Sequence, residues 1–132
     1  MSRRVRMRGE LLSRRTMDST PAMRDNDAER VQRYAERPGF RITELRMSPT
    51  QQVAWHCHSD VQDTFFVIEG RVRVTLREPD DQIDLAPGES WGPVGAGRPH
   101  QVTNPGDDVA TFLVLQGIGD FDFVTLPDQG TQ

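Results

Sequence analysis

The residues of this sequence best suited to chemistry are its three histidines, two of which are separated by a single residue. His56 and His58 lie in a β-prone segment, where side chains at i and i+2 point to the same face. Two imidazoles about 6–7 Å apart on one face can bind a single ion at about 2.0–2.2 Å from each nitrogen. Asp63 and His100 begin later β-prone segments and can complete the set. The pattern predicts a metal site built from several strands.

Two adjacent residues are candidates for the carboxylate or amide ligand of this site. Strand alternation lets only one of Gln62 and Asp63 face inward unless a bulge intervenes. Asp63 has the parity of Phe65 and Val67, and Gln62 has the parity of Thr64. Whichever of the two does not bind the metal is the candidate acid or base nearest to it.

Composition excludes several classes of function. The 132 residues carry a formal net charge of -4, and all sixteen basic residues are arginines, so lysine Schiff-base chemistry is impossible. The acidic balance disfavours nucleic-acid binding, and no run approaches the roughly 18 apolar residues of a membrane span. The single Cys57 cannot form an internal disulfide, which argues against a secreted scaffold, so we expect a cytoplasmic protein.

The length predicts a single domain, preceded by a tail. Residues 1–23 are basic and aperiodic and are predicted to be disordered, and residues 24–132 are predicted to form the domain. A short helix is predicted over residues 25–34, ended by Pro38-Gly39. Short β-prone runs joined by turn residues then predict eight or nine strands in a β-sandwich or barrel, with a hairpin around Gly70. The main runs are 40–47, 52–58, 64–68, 71–77, 83–85, 100–103, 109–116 and 121–126.

Two segments resemble the paired motifs of the cupin superfamily. The matching residues are His56, His58, Asp63 and Gly70 in the first segment, and Gly88, His100 and Asn104 in the second. The resemblance covers about residues 40–126 and implies an all-β jelly-roll barrel, also called a double-stranded β-helix. It also implies one metal ion held by three histidines and usually a glutamate, for which this chain has the shorter Asp63.

The resemblance makes His56, His58 and His100 the expected metal ligands. Asp63 is preferred over Gln62 because it falls in register with the family motif, and Gln62 remains the alternative. The implied cofactor is one divalent transition metal ion, since such a ligand set suits iron, manganese, nickel, zinc or copper alike.

Several side chains are candidates for a pocket around the metal. Arg98, two residues before His100, is a candidate for pairing with an anionic substrate. Cys57 and Trp55 fall on the face opposite the histidines, where Cys57 is expected to be a small buried residue and Trp55 to pack against the N-terminal segment or a partner. The apolar candidates are Phe65, Trp91, Val102 and Phe112.

Two functions compete at this point. The first is a metal-dependent enzyme for a small organic substrate, with dioxygenase-type oxidation slightly favoured over isomerase, lyase or cyclase chemistry because few residues can handle protons. The alternative is a non-catalytic cupin that binds or senses a small molecule. In either case a homodimer is expected, with Trp55, Val53 or Phe40 at its interface.

Overall fold

A computed structural model describes residues 26–128, and this part of the chain contains ten β-strands and no helix. The predicted disordered tail over residues 1–23 lies outside the described residues. Among the described residues, no helix has the length and apolarity that a membrane span requires. The strands are β1 (Glu29–Arg37), β2 (Phe40–Met47), β3 (Gln52–Cys57), β4 (Gln62–Glu69), β5 (Val72–Leu76), β6 (Asp81–Leu85), β7 (Ser90–Val94), β8 (His100–Thr103), β9 (Ala110–Gly117) and β10 (Val124–Thr125).

The strands form two antiparallel sheets that pack face to face. Sheet I has the strand order β1-β2-β9-β4-β7, and sheet II has the order β10-β3-β8-β5-β6. Consecutive strands often lie in different sheets, as β2 and β3 do, which is the chain path of a jelly roll. The prediction of an all-β jelly-roll fold is confirmed.

Alternating apolar residues on both sheets build the core between them. In β5, Val72, Val74 and Leu76 are buried, while the residues between them are partly exposed. Phe65 of β4 meets Phe112 of β9 in the centre, with ring centroids 6.4 Å apart. One face of strands such as β4, β5 and β9 therefore lies in the core, as the period-two sequence pattern predicts.

The helix predicted over residues 25–34 is wrong. Residues Glu29–Arg37 form β1, which pairs antiparallel with β2 and carries two register shifts. Pro38-Gly39 is the turn of this β-hairpin, and Gly39 has a positive φ of 81°. Polar, exposed β1 has little core packing of its own, so pairing with β2 overrides the helical preference of its residues.

The hairpin predicted around Gly70 is also wrong. β4 pairs with β7 and β9, whereas β5 pairs with β6 and β8, so Gly70 stands at a corner where the chain passes from sheet I to sheet II. Its φ is +78°, and a Cβ atom there would lie 2.6 Å from the carbonyl oxygen of Val109 and 2.7 Å from Cα of Ala110. Only glycine fits this corner without moving β9.

Candidate metal centre

The three histidines and Asp63 converge between the two sheets. His56 lies in β3, and His58 directly follows the end of that strand. His100 begins β8, and Asp63 lies in β4 of the opposite sheet. One ligand atom from each residue lies within 4.8 Å of the others, and all four residues are at most 4% exposed. We call this set, His56, His58, Asp63 and His100, the ligand cluster.

Backbone carbonyls fix the orientation of all three imidazoles. Nδ1 of His56 lies 2.7 Å from the carbonyl oxygen of Ala54, and Nδ1 of His100 lies 2.9 Å from that of Arg98. Nδ1 of His58 lies 2.6 Å from the carbonyl oxygen of Asp122. A carbonyl oxygen can only accept, so each Nδ1 carries the proton, and in the neutral ring Nε2 presents a lone pair.

The carboxylate of Asp63 faces two of these lone pairs. Its Oδ2 atom lies 3.0 Å from Nε2 of His58 and 3.1 Å from Nε2 of His100. Neutral rings would set acceptor against acceptor here, so the arrangement calls for a cation, either a proton or a metal ion. Three imidazoles and one carboxylate form the donor set that a first-row divalent metal prefers, and the residues therefore fit such an ion.

The pKa values of the cluster residues are shifted by burial and by one another's charges. Burial opposes the charged form of His58, but the neighbouring Asp63 carboxylate outweighs it and raises the pKa of His58. Burial would raise the pKa of Asp63, yet His58 and His100 hold it well below its usual range. For His56, burial and the other two imidazoles lower the pKa well below its usual range. The cluster thus holds a negative carboxylate that attracts positive charge.

The structure separates the two candidates for the fourth ligand. Asp63 is 3% exposed and points between the sheets, whereas Gln62 is exposed on the outer face of β4. The shorter aspartate side chain reaches Nε2 of His58 and His100 directly. Gln62 therefore does not belong to the ligand cluster, and a proton-handling role for it has no geometric support.

Gln116 of β9 adjoins the cluster, and the sequence analysis did not single it out. Its Nε2 lies 2.9 Å from Oδ1 of Asp63 and 3.4 Å from Nε2 of His58. Its Oε1 accepts a hydrogen bond of 2.8 Å from Nε of Arg41 on β2. No sequence motif marks these two residues, because only the pairing of β2, β9 and β4 brings them beside Asp63.

The segment following β9 packs against the other side of the cluster. The Phe123 ring stacks on His56, with centroids 4.2 Å apart and an angle of 11° between planes. The Phe121 ring lies under the guanidinium of Arg41, 4.2 Å from its carbon. Asp122, between them, binds His58 through its carbonyl and the amide of Ser59 through its carboxylate. This segment therefore helps to shape the centre. The prediction of a strand over residues 121–126 does not indicate this role.

A cavity of about 400 Å³ opens onto the ligand cluster. Phe65 and Val102 line it as expected, whereas Phe112 lies in the core and Trp91 packs against the core. Three arginines and two aspartates contribute to its wall: Arg30, Arg33, Arg41, Asp27 and Asp63. A bound divalent ion would make this wall strongly positive.

Arg98, the arginine expected at the pocket, lies elsewhere. Its guanidinium donates to the backbone carbonyls of Arg77, at 3.2 Å, and Pro79, at 2.7 Å. It is not among the residues that line the cavity. Arg98 therefore ties two loops together, and the cavity takes its positive charge from β1 and β2.

The expectations for the opposite face of β3 need correction. Cys57, expected to be a small buried residue, is half-buried. Trp55 is only 7% exposed, because the guanidinium of Arg77 covers its ring at 3.6 Å and the chain near Leu126 pairs with its backbone. Trp55 thus packs against other parts of the same chain and is not exposed for contact with a partner.

The chain has structural relatives of low sequence identity among known proteins. No protein of curated function matches the sequence. The chain resembles an uncharacterized conserved protein with a double-stranded beta-helix domain from Klebsiella pneumoniae, with 20% identity and a TM-score of 0.67 over 88% of this chain and 100% of that one. It also resembles a cupin-2 domain containing protein from Shewanella frigidimarina, with 20% identity and a TM-score of 0.54 over 65% of this chain and 78% of that one.

A third solved structure belongs to a much longer enzyme. Oxalate decarboxylase from Bacillus subtilis, which has Mn(II) centres, gives 21% identity and a TM-score of 0.60 over 67% of this chain but only 24% of the enzyme. These similarities concern the fold. The family model of the cupin domain (Cupin_2) matches residues 43–116, which hold the whole ligand cluster and Gln116. The chain is therefore a member of the cupin domain family.

Proposed function

We propose that this cupin is a mononuclear metal-dependent enzyme that acts on a small organic anion. The observation that carries the proposal is the cavity, which joins a buried ligand cluster to a wall with three arginines and one further aspartate. A binding space of about 400 Å³ suits a small molecule. The ligands would be His56, His58, His100 and Asp63, and the ion when bound would supply Lewis acidity or redox chemistry.

The cavity residues have separate tasks in this proposal. Arg41 is 5% exposed and fixed by Gln116 and Phe121, so it can present charge to an anion at little entropic cost. Phe65 and Val102 line the cavity near the cluster and keep part of its wall free of water. An anion bound between Arg41 and the ion would be oriented at both ends.

The lining favours oxidation slightly over isomerase, lyase or cyclase chemistry. Among the described lining residues, Asp27 is the one carboxylate outside the ligand cluster, and there is no lysine or tyrosine. Few groups can therefore take a proton from carbon, which leaves the chemistry mainly to the ion.

The test begins with elemental analysis of untagged protein and of the His56→Ala, His58→Ala and His100→Ala variants. We expect about one transition metal ion per chain in the parent and a loss of metal in each variant. Turnover and oxygen uptake are then measured with a diketone, a catechol and oxalate, the last because a structural neighbour is an oxalate decarboxylase. Saturable binding without turnover under iron, manganese, nickel, zinc and copper would instead indicate a binding or sensing protein.

Arg41→Gln and Arg98→Gln form a matched pair for the anion. Loss of a charge-assisted contact in Arg41→Gln should weaken anion binding by about 10- to 150-fold, whereas Arg98→Gln should change it by less than about threefold. Metal content is measured in both variants, so that a lost anion contact is distinguished from a lost ion. Equal anion affinities in the two variants would contradict the assignment of Arg41.

We retain the homodimer as a proposal, with a different surface. Phe66 and Ile68 expose 39% and 46% of their area on the outer face of β4, which supports an interface on sheet I. A monomer mass by light scattering at micromolar concentration would contradict it. The cytoplasmic location stays a prediction.

A further inference from the structure

Three buried polar side chains form a continuous row across sheet I. Arg41 of β2 stands directly opposite Gln116 of β9, which stands directly opposite Asp63 of β4. The side chains join in the same order, with 2.8 Å from Arg41 Nε to Gln116 Oε1 and 2.9 Å from Gln116 Nε2 to Asp63 Oδ1. All three are at most 7% exposed, so water does not compete strongly for these hydrogen bonds.

The chemistry of the row permits one orientation of the amide. A guanidinium can only donate, so the oxygen of Gln116 must face Arg41. An ionised carboxylate can only accept, so the NH₂ group of Gln116 must face Asp63. Reversing the amide would set donor against donor on one side and acceptor against acceptor on the other. The amide is thus held from both ends.

This orientation divides the two oxygens of Asp63. Oδ1 accepts from Gln116, while Oδ2 faces Nε2 of His58 and Nε2 of His100. Rotation of the carboxylate that exchanged the oxygens would have to break the hydrogen bond to Gln116. One oxygen is therefore directed to the histidines and the other is held away from them.

We propose that Gln116 is a positioning residue of the metal centre: it fixes Asp63 so that only Oδ2 is presented to the ion, and it connects that carboxylate to Arg41. The inference rests on the proposed function, because it requires that the ligand cluster binds a metal. Partners that orient metal ligands typically contribute about 10- to 100-fold to metal affinity. The hydrogen bond between Arg41 and Gln116 also implies that a substitution of Arg41 changes the coordination of the ion through the amide.

The experiment compares Gln116→Met with Gln116→Glu. Methionine keeps an unbranched side chain of similar length but removes the hydrogen bonds, whereas glutamate keeps the acceptor for Arg41 and places a second acceptor against Asp63 Oδ1. Gln101→Met is the matched control, because Gln101 is next to His100 in β8 yet bonds only to Gln52 among the described side-chain contacts. Affinity for Co(II) is measured by competition with a chelator, and the visible spectrum of the Co(II) form reports its coordination.

We expect Gln116→Met to lower Co(II) affinity by about 10- to 100-fold and to change the Co(II) spectrum, and Gln116→Glu to alter both readouts as well. Gln101→Met should keep parental affinity and spectrum, even if it lowers thermal stability. Arg41→Met should shift the spectrum in the same direction as Gln116→Met, because the amide then loses one of the two groups that orient it.

Two results would overturn the proposal, and they are distinguishable. If the parent binds Co(II) but Gln116→Met and Gln116→Glu keep its affinity and spectrum, Gln116 only fills space and the proposed function stands. If the parent itself binds no Co(II), both the role of Gln116 and the proposed function fail. Far-UV circular dichroism of the chelated proteins identifies any variant that is unfolded, and Arg41→Met then supplies the test of the row.

Discussion

Addition of a divalent ion to chelator-treated protein should stabilise the fold, because the ligand cluster exists only when both sheets are assembled. Asp63 lies in sheet I, His56 and His100 lie in sheet II, and His58 depends on the carbonyl of Asp122. In the unfolded chain only His56 and His58 remain close together, so binding to that state is weak. An ion that binds the native state alone adds its binding free energy to the free energy of unfolding.

The size of this stabilisation follows from mass action. At a free-ion concentration 100 times the dissociation constant, the gain is about 2.7 kcal/mol, and each further tenfold increase adds about 1.4 kcal/mol. For a domain of this size, 2.7 kcal/mol corresponds to a rise in Tm of roughly 10 °C. The rise should continue with the logarithm of the ion concentration.

Thermal unfolding by circular dichroism across a series of ion concentrations measures the effect. Asp63→Ala and Gln62→Ala are the matched variants, since these neighbours point to opposite faces of β4. Gln62→Ala should keep the full rise in Tm, whereas Asp63→Ala should lose most of it. Equal rises in both variants, or none in the parent, would refute the reasoning that the ion bridges the sheets through Asp63.

Three further outcomes concern the stability of the metal-free fold, measured by denaturant unfolding. Gly88→Ala should lower the free energy of unfolding by about 1–2 kcal/mol for its positive φ alone, since a Cβ there meets nothing within 4 Å. Gly70→Ala should lower it by about 1–3 kcal/mol more, because its Cβ would also press on β9. Equal losses in the two variants would contradict the corner geometry. Phe65→Ala should cost about 3–5 kcal/mol as a fully buried aromatic residue, and a cost below 1 kcal/mol would contradict its central place in the core. Arg77→Ala should cost up to about 2 kcal/mol and change the fluorescence of Trp55, which it covers; an unchanged spectrum would argue against that contact.

Much of the fold follows from local sequence patterns. Residues 40–47 form the strand that was predicted, and the alternation of Val72, Val74 and Leu76 identifies a core face correctly. The pairing of strands is not local information. The short connection at Gly70 predicts a hairpin, but β4 and β5 belong to different sheets, so the chain turns a corner from sheet I to sheet II instead. The strand β1 escapes local patterns for the same reason, because among the described residues it pairs with β2 alone.

Some residues of the candidate centre can be predicted from the sequence, and others become apparent only in the fold. Its imidazoles and Asp63 carry a motif with fixed spacing, so they can be found in a single sequence. Gln116 and Arg41 have no motif, and they join Asp63 only through the register of three strands. Phe123 stacks on His56 from an irregular segment that no periodicity describes. Arg98 is close to His100 in sequence, but its side chain donates to the carbonyl of Pro79, away from the cavity.

The division of the ligand cluster between the two sheets has a consequence for motion. A cation bound by Asp63 on one layer and by His56 and His100 on the other would act as a crosslink through the middle of the sandwich. Fluctuations that part the layers would then have to break a coordinate bond. Amide hydrogen exchange should therefore slow together in β3, β4 and β8 when the ion is bound, although these strands do not all belong to one sheet.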